Sequence, residues 1–303
     1  MKFWLQIEFD LVLLIMSDNQ KIISFQGSPG AYSDMACRSA YPKMKTIGYK
    51  SFSEAFESVR SGVASLAMIP IENTIAGRVA DIHQLLPGSD LHIIGEHFQR
   101  VNHHLLGIPG AKISDITHVH SHIHALNQCG QLISNLGVDP VVHVDTAGAA
   151  ADIAIAGDKT QAAIASELAA EMDGLISLKA NIEDADHNTT RFVVMAAEEL
   201  KPDVNKKNLI TSFVFRVRNV PAALYKSLGG FATNGVNMIK LESYLIGGGF
   251  IAAQFYAEVE GHPEGQDVRL AMEELSFFTH EVRFLGVYPR NPARDIINKN
   301  GTE

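Results

Sequence analysis

Residues 21–38, KIISFQGSPGAYSDMACR, contain the unit from which much of the chain is built. The apolar run at residues 21–25 is short enough to be a buried strand. Two glycines and a proline then mark a turn, and Ser33 precedes the next segment as a candidate helix N-cap. We therefore predict a strand, a polar turn and a helix whose first N–H groups could hold an anion. A plain strand–turn–helix corner is the alternative.

The same order of strand, short polar turn and helix recurs around residues 141–155 and 162–172. This repetition predicts a parallel α/β sheet. Several of the turns carry a hydroxyl where a helix is expected to begin. Each hydroxyl could be a simple helix cap, but several that meet in one cleft would suit an anionic ligand. These residues are Ser33, Thr74, Ser121, Thr146 and Ser166.

A buried strand at residues 65–71 leads into Glu72, Asn73 and Thr74. In open α/β sheets ligands bind beyond the carboxyl ends of strands, which makes these three residues candidates for a site. The alternative is that they cap a helix beginning at Ile75.

Residues 188–192, NTTRF, place an amide, two hydroxyls and a guanidinium directly before an apolar run. Polar side chains at a junction between loop and strand are held rigidly and can still face a cleft. Thr190 could donate or accept a proton, and Arg191 could bind a carboxylate with its planar fork of donors. Alternatively, the threonines are ordinary strand residues and Arg191 an exposed charge.

Four histidines, at positions 118, 120, 122 and 124, have the spacing that puts side chains on one face of a strand. No carboxylate or thiolate is interleaved with them, so we predict no metal site. Ser121 and His122 precede the helix predicted at residues 125–129, where they could face a ligand.

Composition narrows the possible functions. The chain has 303 residues and a net charge of -9, which argues against nucleic acid as a partner. Two cysteines are too few for a disulfide framework, which favours a cytoplasmic protein. The apolar stretch at residues 9–16 is too short to span a membrane. We expect residues 1–20 to be an N-terminal extension outside the fold.

The pattern changes after residue 198. Residues 199–208 are polar and aperiodic, as expected of a linker. Residues 209–290 then predict the order βαββαβ, with a hairpin turn at the glycines 247–249, which is a ferredoxin-like unit. Residues 291–303 are expected to form a C-terminal tail.

Taken in order, six segments resemble the motifs of prephenate dehydratases with a C-terminal ACT domain. They are FQGSPGAYSDMA, AMIPIENTIAGRV, HSHIHALNQC, DTAGAA, AAIASELAAEMDGL and NTTRF. The resemblance runs from residue 21 to about residue 288. It implies catalytic residues 21–198 in two α/β lobes similar to type II periplasmic binding proteins, with the site between the lobes, followed by the ACT domain.

The resemblance further implies an enzyme that converts prephenate to phenylpyruvate with loss of CO₂ and water, without a cofactor. The catalytic threonine of the family falls on Thr190. Glu72 could hold a neutral, polarising proton. Motifs and resemblance together predict a substrate site formed by Tyr32, Ser33, Glu72, Asn73, Thr74, Ser121, His122, Gln128, Thr146, Asn188, Thr189, Arg191 and Phe192.

For residues 209–290 the resemblance implies feedback inhibition by phenylalanine, bound where ACT domains dimerise. The matching residues are Asn219, Pro221, Ala222, Ala223, Leu224, Leu241, Glu242 and Ser243. Two departures bear on ligand binding: Ala222 stands where the family commonly has glycine, and Tyr244-Leu245 replaces a common Arg-Pro pair. An ACT unit kept only for dimerisation is the alternative.

Three points stay open at the level of sequence. The protein could act on arogenate, whose amino group would favour an acidic partner such as Glu72. It could instead be a sensor that binds a ligand without converting it. The resemblance implies a homodimer or a homotetramer.

Overall fold

The computed structural model describes residues 21–79, 82, 85–245 and 252–300. The expected extension at residues 1–20 and the predicted hairpin turn at residues 247–249 lie outside the described residues. The strands are β1 (Ile22–Gln26), β2 (Lys45–Tyr49), β3 (Leu66–Asn73), β4 (Gly77–Arg78), β5 (His92–Arg100), β6 (His104–Gly107), β7 (His118–His122), β8 (Asp139–His143), β9 (Gln161–Ala165), β10 (Ile176–Ala180), β11 (Thr189–Ala196), β12 (Leu209–Val217), β13 (Met238–Leu245), β14 (Ala252–Glu260) and β15 (Thr279–Pro289).

Helices follow most of the parallel strands. They are α1 (Tyr32–Ala40), α2 (Phe52–Arg60), α3 (Ile123–Gln128), α4 (Gly130–Leu136), α5 (Thr146–Ala156), α6 (Glu167–Asp173), α7 (Ala223–Thr233), α8 (Gln266–Phe278) and α9 (Ala293–Asn300). Helix α6 begins as predicted, because Ser166 accepts a hydrogen bond from an N–H group of the first turn. Ser51 caps α2 in the same way.

The first lobe is a sheet in the order β2-β1-β3-β11-β5, with β4 paired to β3. Strand β1 runs parallel to β2 and β3, as the repeated strand–turn–helix unit predicted. Strand β11 returns late in the chain and lies antiparallel between β3 and β5. Its insertion brings Thr190 and Arg191 next to Asn73 and Glu72 at the carboxyl end of β3.

The second lobe is a sheet in the order β10-β6-β9-β7-β8. The chain enters it after β5 and leaves it before β11, so two segments join the lobes. This topology confirms the predicted two-lobed architecture of type II periplasmic binding proteins. The four histidines do not share a strand face, because β7 ends at His122 and His124 lies in α3. The helix considered from Ile75 is also absent, since Asn73 leads through a turn into β4.

The third sheet has the order β13-β14-β12-β15, and its strands pair antiparallel. With α7 and α8 it follows the predicted βαββαβ order, which confirms the ferredoxin-like fold. The two helices cover one face of this sheet, where Phe213, Phe231 and Leu275 belong to one core cluster.

The opposite face of the third sheet packs on the first lobe. Tyr256 and Leu285 share a core cluster there with Ile93 and Val193. The approach is close, because a Cβ added to Gly286 would lie 2.0 Å from the carbonyl oxygen of Ile93. The segment expected to be a tail contains helix α9 and joins this interface.

Candidate active site

The two lobes touch through the loops that follow β1 in the first lobe and β8 and β9 in the second. Ser28 Oγ donates to Asp145 Oδ2 at 2.9 Å, and Ser166 Oγ donates to the carbonyl oxygen of Gly30 at 2.5 Å. Loop and strand ends from both lobes therefore meet along one boundary, which is where ligand sites between two lobes are formed.

Asn73, at the end of β3, is held in a single orientation. Its Oδ1 accepts hydrogen bonds from the N–H groups of Ile75 at 2.9 Å and Ala76 at 2.8 Å. The amide nitrogen must therefore point the other way. It donates to Asn188 Oδ1 at 2.8 Å and to Thr190 Oγ1 at 3.0 Å.

This orientation decides what the Thr190 hydroxyl can do. Because Asn73 supplies a donor, the Thr190 oxygen acts as acceptor in that contact, and its own hydrogen points elsewhere. Within the described residues no side chain or carbonyl accepts that hydrogen. Thr190 is therefore a positioned hydroxyl that can donate to a ligand in the cleft.

The network continues into the second lobe. Asn188 Nδ2 donates to Gln128 Oε1 at 2.8 Å, and His103 Nε2 lies 3.0 Å from the same oxygen. Gln128 Oε1 can only accept, so His103 donates through Nε2. Burial lowers the pKa of His103, which favours the neutral ring and leaves Nδ1 as an acceptor.

Tyr32 closes this chain. Its hydroxyl oxygen lies 2.9 Å from His103 Nδ1 and 2.7 Å from the carbonyl oxygen of Asn102, so two acceptors share one hydrogen. Burial raises the pKa of Tyr32 well above its usual range, so the phenol keeps its proton. The structure thus brings five of the sequence-predicted site residues into one network: Tyr32, Asn73, Gln128, Asn188 and Thr190.

Arg191 lies on the other face of β11. Its guanidinium is 3% exposed and lies 2.8 Å from a carboxylate oxygen of each of Glu72, Glu96 and Glu258. It also donates to the Tyr288 hydroxyl at 3.2 Å. The expectation that Arg191 binds a substrate carboxylate is wrong, because its three nitrogens are already engaged by carboxylates of the protein.

Glu72 shares this environment. One carboxylate oxygen binds Arg191, and the other lies 2.5 Å from Lys240 Nζ. Burial alone raises the pKa of Glu72, but Arg191 and Lys240 outweigh burial and lower it to about 2. The suggested neutral, proton-holding Glu72 is therefore wrong. The carboxylate also lies on the face of the sheet opposite Thr190. It is therefore not placed to bind the amino group of arogenate in the cleft.

Three cations face three carboxylates in this cluster. Besides Arg191 and Lys240, the third cation is Arg294 of α9, which lies 2.7 Å from Glu96 and 3.0 Å from Glu258. Burial raises the pKa of Glu258, yet Arg191 and Arg294 lower it overall. We call the set of Glu72, Glu96, Arg191, Lys240, Glu258 and Arg294 the ionic cluster.

The remaining predicted substrate residues do not form the expected ring of hydroxyl caps. Ala31, not Ser33, caps α1, and the fully buried Ser121 donates to the carbonyl oxygen of Ile164 at 2.6 Å. His122 caps α3, where its Nδ1 accepts from the N–H of His124. Asp145 caps α5 while Thr146 is the first helical residue.

Thr74, Thr189 and Phe192 also differ from the expectation. Thr74 Oγ1 donates to the carbonyl oxygen of His187 and accepts from the N–H of Thr189, so it fastens the loop before β11. Phe192 is 1% exposed in the core of the first lobe. Strand alternation places the Thr189 side chain on the face of Arg191, away from Thr190.

The residues expected to bind phenylalanine lie at one end of the third sheet. Arg216 of β12 and Tyr244 of β13 both pair in register with Gln254, so the loop after β12 and the end of β13 are near each other. Ala222 adopts the left-handed conformation with φ of 59°. Asn219, Pro221, Leu241 and Ser243 are exposed.

The prephenate dehydratase family model matches residues 23–200. This chain belongs to the prephenate dehydratase family. Prephenate dehydratases are carbon–oxygen lyases, so the protein is an enzyme of that class.

Relatives of this chain match nearly its whole length. A bifunctional N-acyl-homoserine lactone acylase/prephenate dehydratase from Komagataeibacter europaeus is 50% identical over 277 residues, which are 91% of this chain and 99% of the relative. The chloroplastic arogenate dehydratase/prephenate dehydratase 1 of Arabidopsis thaliana is 36% identical, over 91% of this chain and 74% of the relative.

A solved structure matches equally widely. Prephenate dehydratase from Arthrobacter aurescens, in complex with L-Phe, superposes with a TM-score of 0.81 at 27% identity, covering 93% of this chain and 100% of that chain. Among the described residues of this chain, no helix is long and apolar enough to cross a membrane. The same residues contain no group of three or more potential metal-ligating side chains.

Sequence reasoning missed His103 and most of the ionic cluster. His103 lies in the first segment that joins the lobes, and no local motif distinguishes it. Glu96, Lys240, Glu258 and Arg294 come from four separate segments, and each looks like an ordinary surface charge in sequence. The only available signal was the period of two in β11, which puts Arg191 opposite Thr190.

Proposed function

We propose that the protein dehydrates and decarboxylates prephenate to phenylpyruvate, with Thr190 as the catalytic residue. The observation that carries this proposal is the Thr190 hydroxyl, whose oxygen accepts from Asn73 and whose hydrogen is left for a ligand. Asn188 and Gln128 hold Asn73 and extend the contact to the second lobe.

The chemistry needs little more than a positioned donor. The bond from the ring to the carboxylate breaks, CO₂ leaves, and its electron pair completes the aromatic ring as the ring C–O bond breaks. The departing hydroxide is stabilised by the Thr190 hydrogen bond and becomes water after gaining a proton from solvent. A threonine does not ionise near neutrality, so it acts by position rather than as a strong acid.

Prephenate is favoured over arogenate by the environment of Glu72. Arogenate carries an ammonium group where prephenate has a keto oxygen, and a carboxylate in the cleft would favour it. Glu72 was the candidate, and both of its oxygens are paired with cations on the far face of the sheet. The relatives that act on arogenate keep this substrate as the alternative outcome of the assay.

We further propose a catalytic part at residues 21–198, a linker at 199–208 and an ACT regulatory domain at 209–290. The βαββαβ fold and the L-Phe complex of the Arthrobacter aurescens relative support phenylalanine as a feedback inhibitor. It would bind at Asn219, Pro221, Ala222, Ala223, Leu224, Leu241, Glu242 and Ser243. A homodimer or homotetramer in the cytoplasm, in phenylalanine biosynthesis, completes this proposal.

The deciding experiment measures phenylpyruvate formed from prephenate by purified protein, with and without phenylalanine. Formation of phenylpyruvate that phenylalanine suppresses is expected. If the protein forms phenylalanine from arogenate and does not convert prephenate, its substrate is arogenate. Failure to convert either compound would refute the enzymatic proposal and favour a ligand-binding protein.

A second candidate activity is hydrolysis of an N-acyl amide, which the name of the Komagataeibacter europaeus relative includes. Hydrolysis by a serine needs its hydroxyl beside a base. Ser177 Oγ lies 2.9 Å from His104 Nδ1, and it is the one serine–imidazole pair among the described side-chain contacts. Release of homoserine lactone and fatty acid from an N-acyl-homoserine lactone tests this activity. Loss of that release in Ser177→Ala, with prephenate turnover kept, would assign it to this pair.

A further inference from the structure

Side-chain contacts connect β3 and β11, which carry Asn73 and Thr190, and the adjoining β4 with the C-terminal domain. Arg191 lies 2.8 Å from Glu258, and Lys240 lies 2.5 Å from Glu72. Arg78 donates to the carbonyl oxygen of Ser243 at 3.1 Å. Each contact starts beside the proposed site, since Arg191 follows Thr190, Glu72 precedes Asn73, and Arg78 pairs in register with Glu72.

We propose that Arg191 and Glu72 are positioning residues through which a ligand on β13 controls the Thr190–Asn73 pair, with Lys240 as the link. This inference rests on the proposed function and deepens it, because it states how the regulatory site acts on turnover. Resemblance to the family supplies only the location of the regulatory ligand, and the contacts above supply the route.

The route is stiff at the end near the catalytic residues. Arg191 and Thr190 are consecutive residues of one strand, so a displacement of the β11 backbone at Arg191 is transmitted to Thr190. The same holds for Glu72 and Asn73 in β3. A buried charge cannot lose its partner without a large cost, so the ionic cluster moves as a unit or rearranges as a unit.

The route can switch at the end near the proposed ligand. Lys240 Nζ lies 2.5 Å from Glu72 and 3.4 Å from Glu242, so it is shared between the two carboxylates. Arg78 lies 3.6 Å from the other oxygen of Glu242. An amino acid whose ammonium group engages Glu242 would compete with both cations for that carboxylate. The Lys240–Glu72 contact then differs between the ligand-free and the ligand-bound protein. A ligand can shift a conformational equilibrium only through such a difference in contacts between the two states.

The test is Lys240→Met, which keeps the length of the side chain and removes its charge. Turnover of prephenate is measured with and without phenylalanine, and phenylalanine binding is measured separately by calorimetry. For the unmodified protein we expect coupling of roughly 5- to 150-fold between phenylalanine and substrate. In K240M phenylalanine should still bind, but its effect on kcat/KM should almost disappear.

Two further variants make the result specific. Arg269→Met removes an exposed cation from the same domain, where its partner among the described residues is Glu273 in α8, and this variant should keep full coupling. Lys240→Arg restores a cation and should restore part of the coupling.

The outcomes separate this inference from the proposed function. Coupling in K240M equal to that of the unmodified protein would overturn the inference. So would loss of phenylalanine binding in K240M, since Lys240 would then belong to the ligand site. Turnover indifferent to phenylalanine in the unmodified protein overturns the inference together with the proposed feedback inhibition and leaves the proposed dehydratase activity standing. Absence of turnover overturns that activity itself. If K240M does not fold, Glu72→Gln weakens the same Lys240 contact from its other end and should likewise reduce the coupling.

Discussion

The two faces of β11 differ in kind, although Thr190 and Arg191 are neighbours in the chain. On the cleft face, Thr190 belongs to a chain of neutral amides and hydroxyls that reaches from Asn73 to Tyr32. On the far face, Arg191 belongs to the ionic cluster, in which three carboxylates meet three cations. Two consecutive residues of β11 thus belong to different environments, one to the neutral polar site and the other to the charged contact with the C-terminal domain.

The difference teaches how one short motif can have two roles. Neutral hydrogen bonds can be exchanged with a substrate at a modest net cost of about 0.5–1.5 kcal/mol each. Buried ion pairs cannot, because removing one partner leaves a charge without solvation. The cleft face is therefore suited to chemistry and the far face to holding the C-terminal domain in place.

The sharpest test of the comparison exchanges one hydroxyl for a methyl group on either face. Thr190→Val should lower kcat by about 10²–10⁴-fold, since the proposed donor to the leaving hydroxyl is lost. Thr189→Val is the matched control on the opposite face and should keep most of the activity. Steady-state assays with prephenate measure both, and thermal unfolding confirms that both variants fold. Comparable losses in the two variants would contradict the assignment of chemistry to one face.

The far face is tested by Arg191→Met. Removing this guanidinium leaves the buried carboxylates of Glu96 and Glu258, and the partly exposed carboxylate of Glu72, short of a cation. This change should lower the free energy of unfolding by on the order of 3–5 kcal/mol. Urea unfolding followed by circular dichroism measures the change. Arg269→Met breaks an exposed pair in α8 and should cost less than about 1 kcal/mol. If R191M loses little unfolding free energy but no longer binds substrate, Arg191 is a substrate ligand after all.

Much of the fold follows from local pattern. Apolar runs, turn residues and hydroxyls at helix starts predicted the strand–turn–helix order and the βαββαβ order, because periods of two and 3.6 residues are properties of short segments. The exact helix starts were less predictable. Ser33 and Ser121 look like caps, but packing begins the helices at neighbouring residues and buries Ser121 completely.

The site was predictable only in part. Asn73, Asn188 and Thr190 stand at the ends of strands, which is a local signal. The partners of Arg191 give none, since Glu96, Glu258 and Tyr288 are 95, 67 and 97 residues away in sequence. A guanidinium beside a catalytic hydroxyl suggests a substrate clamp, and only the pairing of distant strands reveals its three carboxylates.

The ionic cluster also predicts a response to acid. The pKa of Glu72 in the folded protein is about 2, below its ordinary value of 4.5. Its contribution to stability is thus complete above pH 4.5 and is lost as the pH falls towards 2. Near neutrality the Glu72→Gln variant should be less stable than the unmodified protein. As the pH falls from 4.5 to 2, the variant should lose less of its stability than the unmodified protein does. Urea midpoints measured across this range check the prediction. An acid response identical to that of the unmodified protein would place the titrating carboxylate elsewhere.

The smallest expected effect concerns Ala222, which caps α7 in the left-handed conformation with φ of 59°. That conformation costs an L-residue roughly 1–2 kcal/mol, whereas glycine adopts it freely. Ala222→Gly should therefore stabilise the domain by about 0.5–1 kcal/mol after the larger unfolded-state entropy of glycine is counted. The neighbouring Ala223 is helical and buried, so Ala223→Gly should destabilise by a similar amount. Unfolding curves separate the two variants by the sign of the change, and calorimetry with phenylalanine shows whether removing this Cβ also strengthens ligand binding. A loss of stability in A222G would mean that contacts of the Ala222 methyl group outweigh the backbone strain, and that this departure from the family is compensated within the domain.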